Sequence, residues 1–137
     1  MTFWARFPEA WAELQVDARD PYEAMVSFNN YVISTEMELR GRYIADGGAI
    51  MVGYPIAFDS LFINWYFHNI LGTSPFSFSA LDLKSYASAV LKIPFRDSVK
   101  KNMPKQWFGK TKHSHKAIDD AIGQAELFQG MLRENIK

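Results

Sequence analysis

Cysteine is absent from the 137-residue sequence, which excludes disulfide bonds, zinc ribbons, cysteine-ligated clusters and thiol nucleophiles. An excess of one charge is also lacking, because 15 Lys and Arg balance 15 Asp and Glu, so any polyanion must be bound by a local basic patch. Polar residues interrupt the longest apolar stretch, residues 56–70, and the N-terminus lacks a basic region followed by an apolar one. We therefore expect no membrane span, no signal peptide and a cytoplasmic protein.

The composition that is present predicts a folded chain. Hydrophobic residues make up 48% of it and charged residues 22%, enough for one domain over residues 1–137 with a sizeable core. Aromatic residues reach 15% and crowd the first dozen positions, as Phe3, Trp4, Phe7 and Trp11. Because N-termini are usually polar and frayed, this N-terminal aromatic cluster predicts core or interface packing.

Capping signals and hydrophobic spacing predict an α/β chain that is rich in helix. Asp20 followed by Pro21 indicates a helix start, and Gly72 indicates a helix end. The predicted helices cover about 8–14, 20–34, 60–70, 86–91 and 115–134; the predicted strands are 49–53, as a buried run, and a short one near Leu81. Two parallel strands do not form a stable sheet alone, so the sheet is expected to lack strands and to leave an edge open.

Asp59 lies between the first predicted strand and the next helix, where open α/β sheets place their ligands. A helix N-cap is the alternative role. A second group, His115, Asp119 and Asp120, falls at the start of the last helix, with His113 as a rival to His115. His115 and Asp120 could both face a cleft there, or the acids could serve the helix dipole alone.

Together the two groups resemble a known family. Phe58-Asp59-Ser60-Leu61-Phe62, followed by His115-x-Ala117-x-x-Asp120-Ala121, resembles the second and third motifs of the DEDDh (DnaQ-like) 3′–5′ exonucleases. The resemblance implies a ribonuclease H-like fold and hydrolysis of phosphodiesters from the 3′ end of single-stranded DNA or RNA. It also implies two Mg or Mn ions held by four carboxylates, with Asp59 and Asp120 as two of them and His115 as the general base.

The first motif of that family, Asp-x-Glu on an early strand, is missing from this chain. Glu36-Met37-Glu38 has the nearest spacing but follows a predicted helix. We therefore expect an N-terminally truncated form of the fold, inactive as this chain alone. Upstream sequence or a partner would have to supply the other two carboxylates.

The basic stretch from Arg96 to Lys112 also has two interpretations. It could follow phosphates, with Lys110 as a substrate contact and with Trp107 or Phe108 stacking on a base. Alternatively it is a solvated loop whose Trp107 and Phe108 pack on the core. Phe62, from the second motif, is a further predicted substrate contact.

Three functional hypotheses follow from these residues. The first is an exonuclease domain without its first motif. The second is a non-catalytic remnant that binds nucleic acid or associates with itself, through the open sheet edge or the N-terminal aromatic cluster, as a homodimer. The third is a helical interaction domain in which Asp59, His115 and Asp120 are only caps. Convergence of these three side chains on one divalent-ion pocket distinguishes the first from the third.

Overall fold

The computed structural model describes residues 3–40, 48–111 and 116–136. Within them lie two strands and five α-helices, accompanied by short 3-10 turns. They are α1 (Pro8–Leu14), α2 (Pro21–Leu39), β1 (Ala49–Gly53), α3 (Ile56–Tyr66, continued by a π-turn over Phe67–Leu71), β2 (Phe76–Asp82), α4 (Leu83–Leu91) and α5 (Ala117–Asn135). No helix in these ranges has the length and apolar character needed to cross a membrane. The α/β prediction is confirmed at this level.

The chain divides into two compact units. The central unit is Arg19–Asp82, and the terminal unit combines Met1–Ala18 with Leu83–Lys137. This division does not test the prediction of one domain, which stays a prediction, as does the ribonuclease H-like assignment.

In the central unit, β1 and β2 pair in parallel, joined by α3. Val52 lies opposite Leu81 and Gly53 opposite Asp82, with a register shift between Ala49 and Met51. The prediction of a fully buried first strand is wrong. Met51 and Gly53 are buried, but the intervening Val52 and the preceding Ile50 are exposed, because alternate side chains point to opposite faces of a strand.

Three aromatic rings form the packing centre of the central unit. Phe28 of α2, Phe67 of the π-turn and Phe76 of β2 contact one another, with centroid separations of 5.6, 5.8 and 5.9 Å. Phe67 is fully buried. The predicted ends of the flanking helices are confirmed, since the Asp20 side chain accepts from the Tyr22 N–H at 2.8 Å and Gly72 has the left-handed φ of 70°.

In the terminal unit, the core forms where the segment after α4 packs on α5. Trp107 is only 1% exposed, and a Cβ at Gly130 of α5 would overlap the Trp107 backbone. Leu127 and Met131 of α5 are buried, and the Tyr86 ring of α4 stands edge-on to Phe128 at 6.1 Å. Glycine at position 130 therefore permits a direct approach of backbone to helix.

Candidate functional site

Asp59 lies in the first turn of α3, and its side chain is exposed. The alternative role of N-cap is wrong for this residue. The helix begins at Ile56, four residues earlier than the spacing predicts, and Pro55 occupies the N-cap position without a side-chain cap. Asp59 therefore presents its carboxylate to solvent near the carboxyl end of β1.

The cap of α3 comes from another element. A carboxylate oxygen of Asp82, the last residue of β2, accepts from the N–H of Ile56 at 3.2 Å. Sequence reasoning missed Asp82, because the bond joins residues 26 positions apart. A carboxylate at a helix N-terminus satisfies a free N–H and complements the helix dipole, so Asp82 fixes the turn that carries Asp59.

The outer face of α3 is apolar and exposed around Asp59. Its members follow helical spacing at Phe58, Leu61, Phe62 and Trp65, each more than half exposed. The Phe58 and Phe62 rings contact each other edge-on at 5.1 Å. Phe62, predicted as a substrate contact, is 51% exposed, so its ring is accessible.

Asp120 lies in the first turn of α5, and its N–H donates to the Lys116 carbonyl oxygen at 3.0 Å. The residue is half-buried, with its Oδ1 atom shielded from solvent. The helix begins at Ala117, two residues later than the pattern predicts. His115 and its rival His113 lie outside the described residues, so the role of general base stays a prediction.

Lys116, the N-cap residue of α5, forms an ion pair with Glu13 of α1, with 2.7 Å between Lys116 Nζ and a Glu13 carboxylate oxygen. The Glu13 carboxylate raises the pKa of Lys116, first through the hydrogen bond and then through its charge. Both side chains are about half exposed, so solvent screens this pair and it adds little to stability.

In the basic stretch, Trp107 fits the packing interpretation, whereas the exposed lysines remain available for phosphate contacts. Trp107 is buried against α5, which favours its packing role and removes its ring faces from the surface. Lys110 is exposed, with its backbone N–H directed at a Glu126 carboxylate oxygen at 3.4 Å. Other exposed basic residues of the stretch are Arg96, Lys100, Lys101 and Lys105.

The residues implied as metal ligands do not complete a two-metal site in the described part of the chain. No group of three or more His, Asp or Glu lies close enough there to hold an ion. Asp59 belongs to the central unit and Asp120 to the terminal unit, so their convergence stays a prediction. Two carboxylates provide half of the donors that the implied site requires, and Asp-x-Glu is absent from the sequence.

Comparison with known proteins gives a similarity to a protein that is named as a nuclease. No protein-family model matches this chain. A stretch of 117 residues, 85% of the chain, is 38% identical to a protein of Escherichia coli named 3′–5′ DNA exonuclease Cap18. The match covers 59% of that relative's length, so the chain is similar to a part of it.

Proposed function

We propose that this chain is part of a 3′–5′ exonuclease of the DEDDh type with a ribonuclease H-like fold. The observation that carries the proposal is the 38% identity to a protein named as a 3′–5′ DNA exonuclease. The resemblance of the residues around Asp59 and from His115 to Asp120 to the second and third motifs of that family supports the same conclusion.

The substrate that fits this proposal is the 3′ end of a single DNA strand. The distribution of charge supports it, because no Lys or Arg occurs between Arg42 and Lys84, whereas basic residues are dense from Lys84 to Lys116. Phosphate contacts are therefore assigned to the terminal unit, with exposed Lys110 among them. Phe62, exposed beside the turn of Asp59, is the proposed base contact, and buried Trp107 is not.

The chemical roles follow from the residue types. His115 would take the proton from the attacking water, since an imidazole accepts protons near neutral pH. Asp59 and Asp120 would supply two of the carboxylates for Mg or Mn ions, which prefer oxygen ligands. When bound, such ions activate water and stabilise the leaving 3′ oxygen. The remaining ligands must come from another part of the polypeptide or from a partner.

Hydrolysis of a 5′-labelled single strand in the presence of Mn tests the proposal. The product of the complete open reading frame should shorten the strand one nucleotide at a time, and the 137-residue chain alone should not. We expect Asp59→Asn and Asp120→Asn each to reduce the rate at least about 100-fold, as the loss of a group that acts at the reacting centre does.

The matched control is Asp119→Asn, which removes a carboxylate from the same turn of α5 and should leave the rate within about twofold. Equal rates for Asp120→Asn and the wild type would contradict the assignment of the third motif. Absence of cleavage by the complete product would contradict the exonuclease function itself.

The alternative function is a non-catalytic module that binds nucleic acid or associates with itself. The exposed aromatic face of α3 and the fully exposed Phe78 of β2 favour it, because contiguous exposed apolar surface marks interaction sites. Strand binding without cleavage, unchanged in Asp59→Asn and Asp120→Asn, would support this alternative.

A further inference from the structure

An exposed aromatic ring follows α4 in the terminal unit. Phe95 is 53% exposed, and the ammonium group of Lys84, from the first turn of α4, lies over its ring, 4.3 Å from the centroid. A cation in this position is attracted by the negative face of the ring. The ring and the charge therefore form one surface feature, which we call the Phe95–Lys84 pair.

Hydrogen bonds hold the backbone on both sides of this ring. Before it, the Ser88 hydroxyl donates to the carbonyl oxygen of Ile93 at 2.7 Å. After it, the N–H and the hydroxyl of Ser98 both donate to the Phe95 carbonyl oxygen, at 3.3 and 2.7 Å, and Ser98 is fully buried. A fixed turn thus presents Phe95 at the surface, so a ligand that binds the ring orders little additional chain.

The charges along this part of the chain favour an anionic ligand. From Lys84 to Lys110 the sequence has seven Lys and Arg against one acid, Asp97. Lys92 and Arg96, the basic residues nearest to Phe95 in sequence, are both exposed. A ligand that carries negative charge together with a flat apolar surface therefore matches both the basic residues and the ring.

Phe95 presents more surface than the two aromatic residues first considered for stacking on a base. Trp107 is 1% exposed and Phe108 is 37% exposed, whereas Phe95 is 53% exposed. Because stacking requires an accessible ring face, Phe95 is the aromatic residue of this region best placed to accept a base.

We propose that the Phe95–Lys84 pair binds a nucleotide of single-stranded DNA, an inference that rests on the proposed exonuclease function for the identity of the polyanion. The base stacks on the exposed part of the Phe95 ring. Lys84, whose ammonium group has three donors, pairs with an adjacent phosphate while it stays in contact with the ring. This base contact lies in the terminal unit and is additional to the one proposed for Phe62.

Binding of a fluorescein-labelled thymidine oligonucleotide of about 12 nucleotides to the complete protein tests the base contact. Anisotropy measured in EDTA gives Kd without metal-dependent cleavage. We expect Phe95→Ala to raise Kd about 5- to 150-fold, the cost of losing one stack between a base and a ring. Phe95→Leu keeps an apolar side chain where the alanine variant fails to fold, and should still raise Kd at least about fivefold.

An abasic oligonucleotide of the same length keeps the phosphates but has no bases to stack. It should therefore bind Phe95→Leu and the wild type with the same Kd. Tyr31→Ala removes an exposed ring from α2 and is the control, which should keep the wild-type Kd for the thymidine oligonucleotide.

The phosphate contact has a separate signature in the salt dependence. Lys84→Gln should reduce the slope of log Kd against log salt concentration by about 0.7, as expected for one phosphate contact with a single strand. Lys84→Arg should keep the wild-type slope, because the charge is retained, and Phe95→Leu should keep it as well.

The outcomes separate this site from the proposed function. A Kd for Phe95→Ala and Phe95→Leu equal to that of the control, or an equal loss with the abasic oligonucleotide, would overturn the base contact. An unchanged slope in Lys84→Gln would overturn the phosphate contact. Binding that depends on Phe95, without cleavage by the wild-type protein in Mn, would support this site and overturn the nuclease function; cleavage without any dependence on Phe95 would do the reverse.

Discussion

The two segments that carry the motif carboxylates are held in place differently. In the central unit, α3 packs only its inner side, and Asp59 lies on a turn tied by one carboxylate, that of Asp82, with aromatic side chains exposed around it. In the terminal unit, Asp120 is half-buried at the start of α5, and the chain from Trp107 to Thr111 packs on the same helix further along, at Glu126 and Gly130.

This difference shows that a match to a sequence motif does not determine how deeply its residues are buried or which side chains hold them in place. Asp59 and Asp120 are both acids in the first turn of a helix, yet one is exposed and the other half-buried. In each segment a second carboxylate, Asp82 or Glu126, accepts from backbone N–H groups close to the motif. Both segments therefore share a carboxylate that accepts from backbone N–H groups, whereas the motif residue itself is more buried at Asp120 than at Asp59.

The largest expected effect concerns the stability of the central unit. It tests whether that stability comes from the buried side of α3 and its π-turn and not from the exposed side. Phe67→Ala should lower the free energy of unfolding by about 3–5 kcal/mol, because it removes a fully buried ring from the contact with Phe28 and Phe76. Phe62→Ala on the exposed side should change it by less than about 0.5 kcal/mol. Urea unfolding measures both, and equal costs would remove the distinction between the two sides.

A smaller effect tests the packing on α5 with two glycines of the same helix. Gly130→Ala should destabilise by about 1–3 kcal/mol, because the new methyl group meets the Trp107 backbone, which cannot rotate away. Gly123→Ala meets nothing within 4 Å and should stabilise by about 0.5–1 kcal/mol through helix propensity. Thermal unfolding of the two variants should therefore shift in opposite directions; a shift in the same direction contradicts the close approach.

The smallest effect compares two helix N-termini in the central unit. Asp82→Ala should cost about 1 kcal/mol, because it leaves the Ile56 N–H without its acceptor in a partly buried position. Asp20→Ala removes the exposed local cap of α2 and should cost less, about 0.5 kcal/mol. Chemical denaturation measures the loss of unfolding free energy in each variant. A larger loss for Asp20→Ala than for Asp82→Ala would show that Asp82 does not fix the turn of Asp59.

Much of the local structure could be predicted from the sequence. Asp20-Pro21 marked the start of α2, Gly72 marked a helix end, and the β-branched run from residue 49 gave β1. These features depend on neighbours within one or two turns of chain. The predicted start of α3 was wrong by four residues, because the side chain that caps this helix, Asp82, is remote in sequence and leaves no local signal.

The candidate site was predictable only as a set of residues. The order Asp59, His115, Asp120 gave the resemblance to the two motifs, and a relative of this chain is named as an exonuclease. Their convergence is still a prediction. Trp107 could not be assigned from sequence, because a tryptophan among lysines suits a stacking surface and a core equally until its contacts are known.

By itself, the sequence determined where most helices and strands lie and predicted which residues would carry out phosphodiester hydrolysis, since both depend on residue type and short-range spacing. Only the tertiary structure decided which side chains support them. Asp82 reaches Ile56, Glu126 reaches Thr111, and Trp107 meets Gly130 across 26, 15 and 23 positions of chain. Such contacts form because packing brings distant segments together, and no local pattern encodes that path.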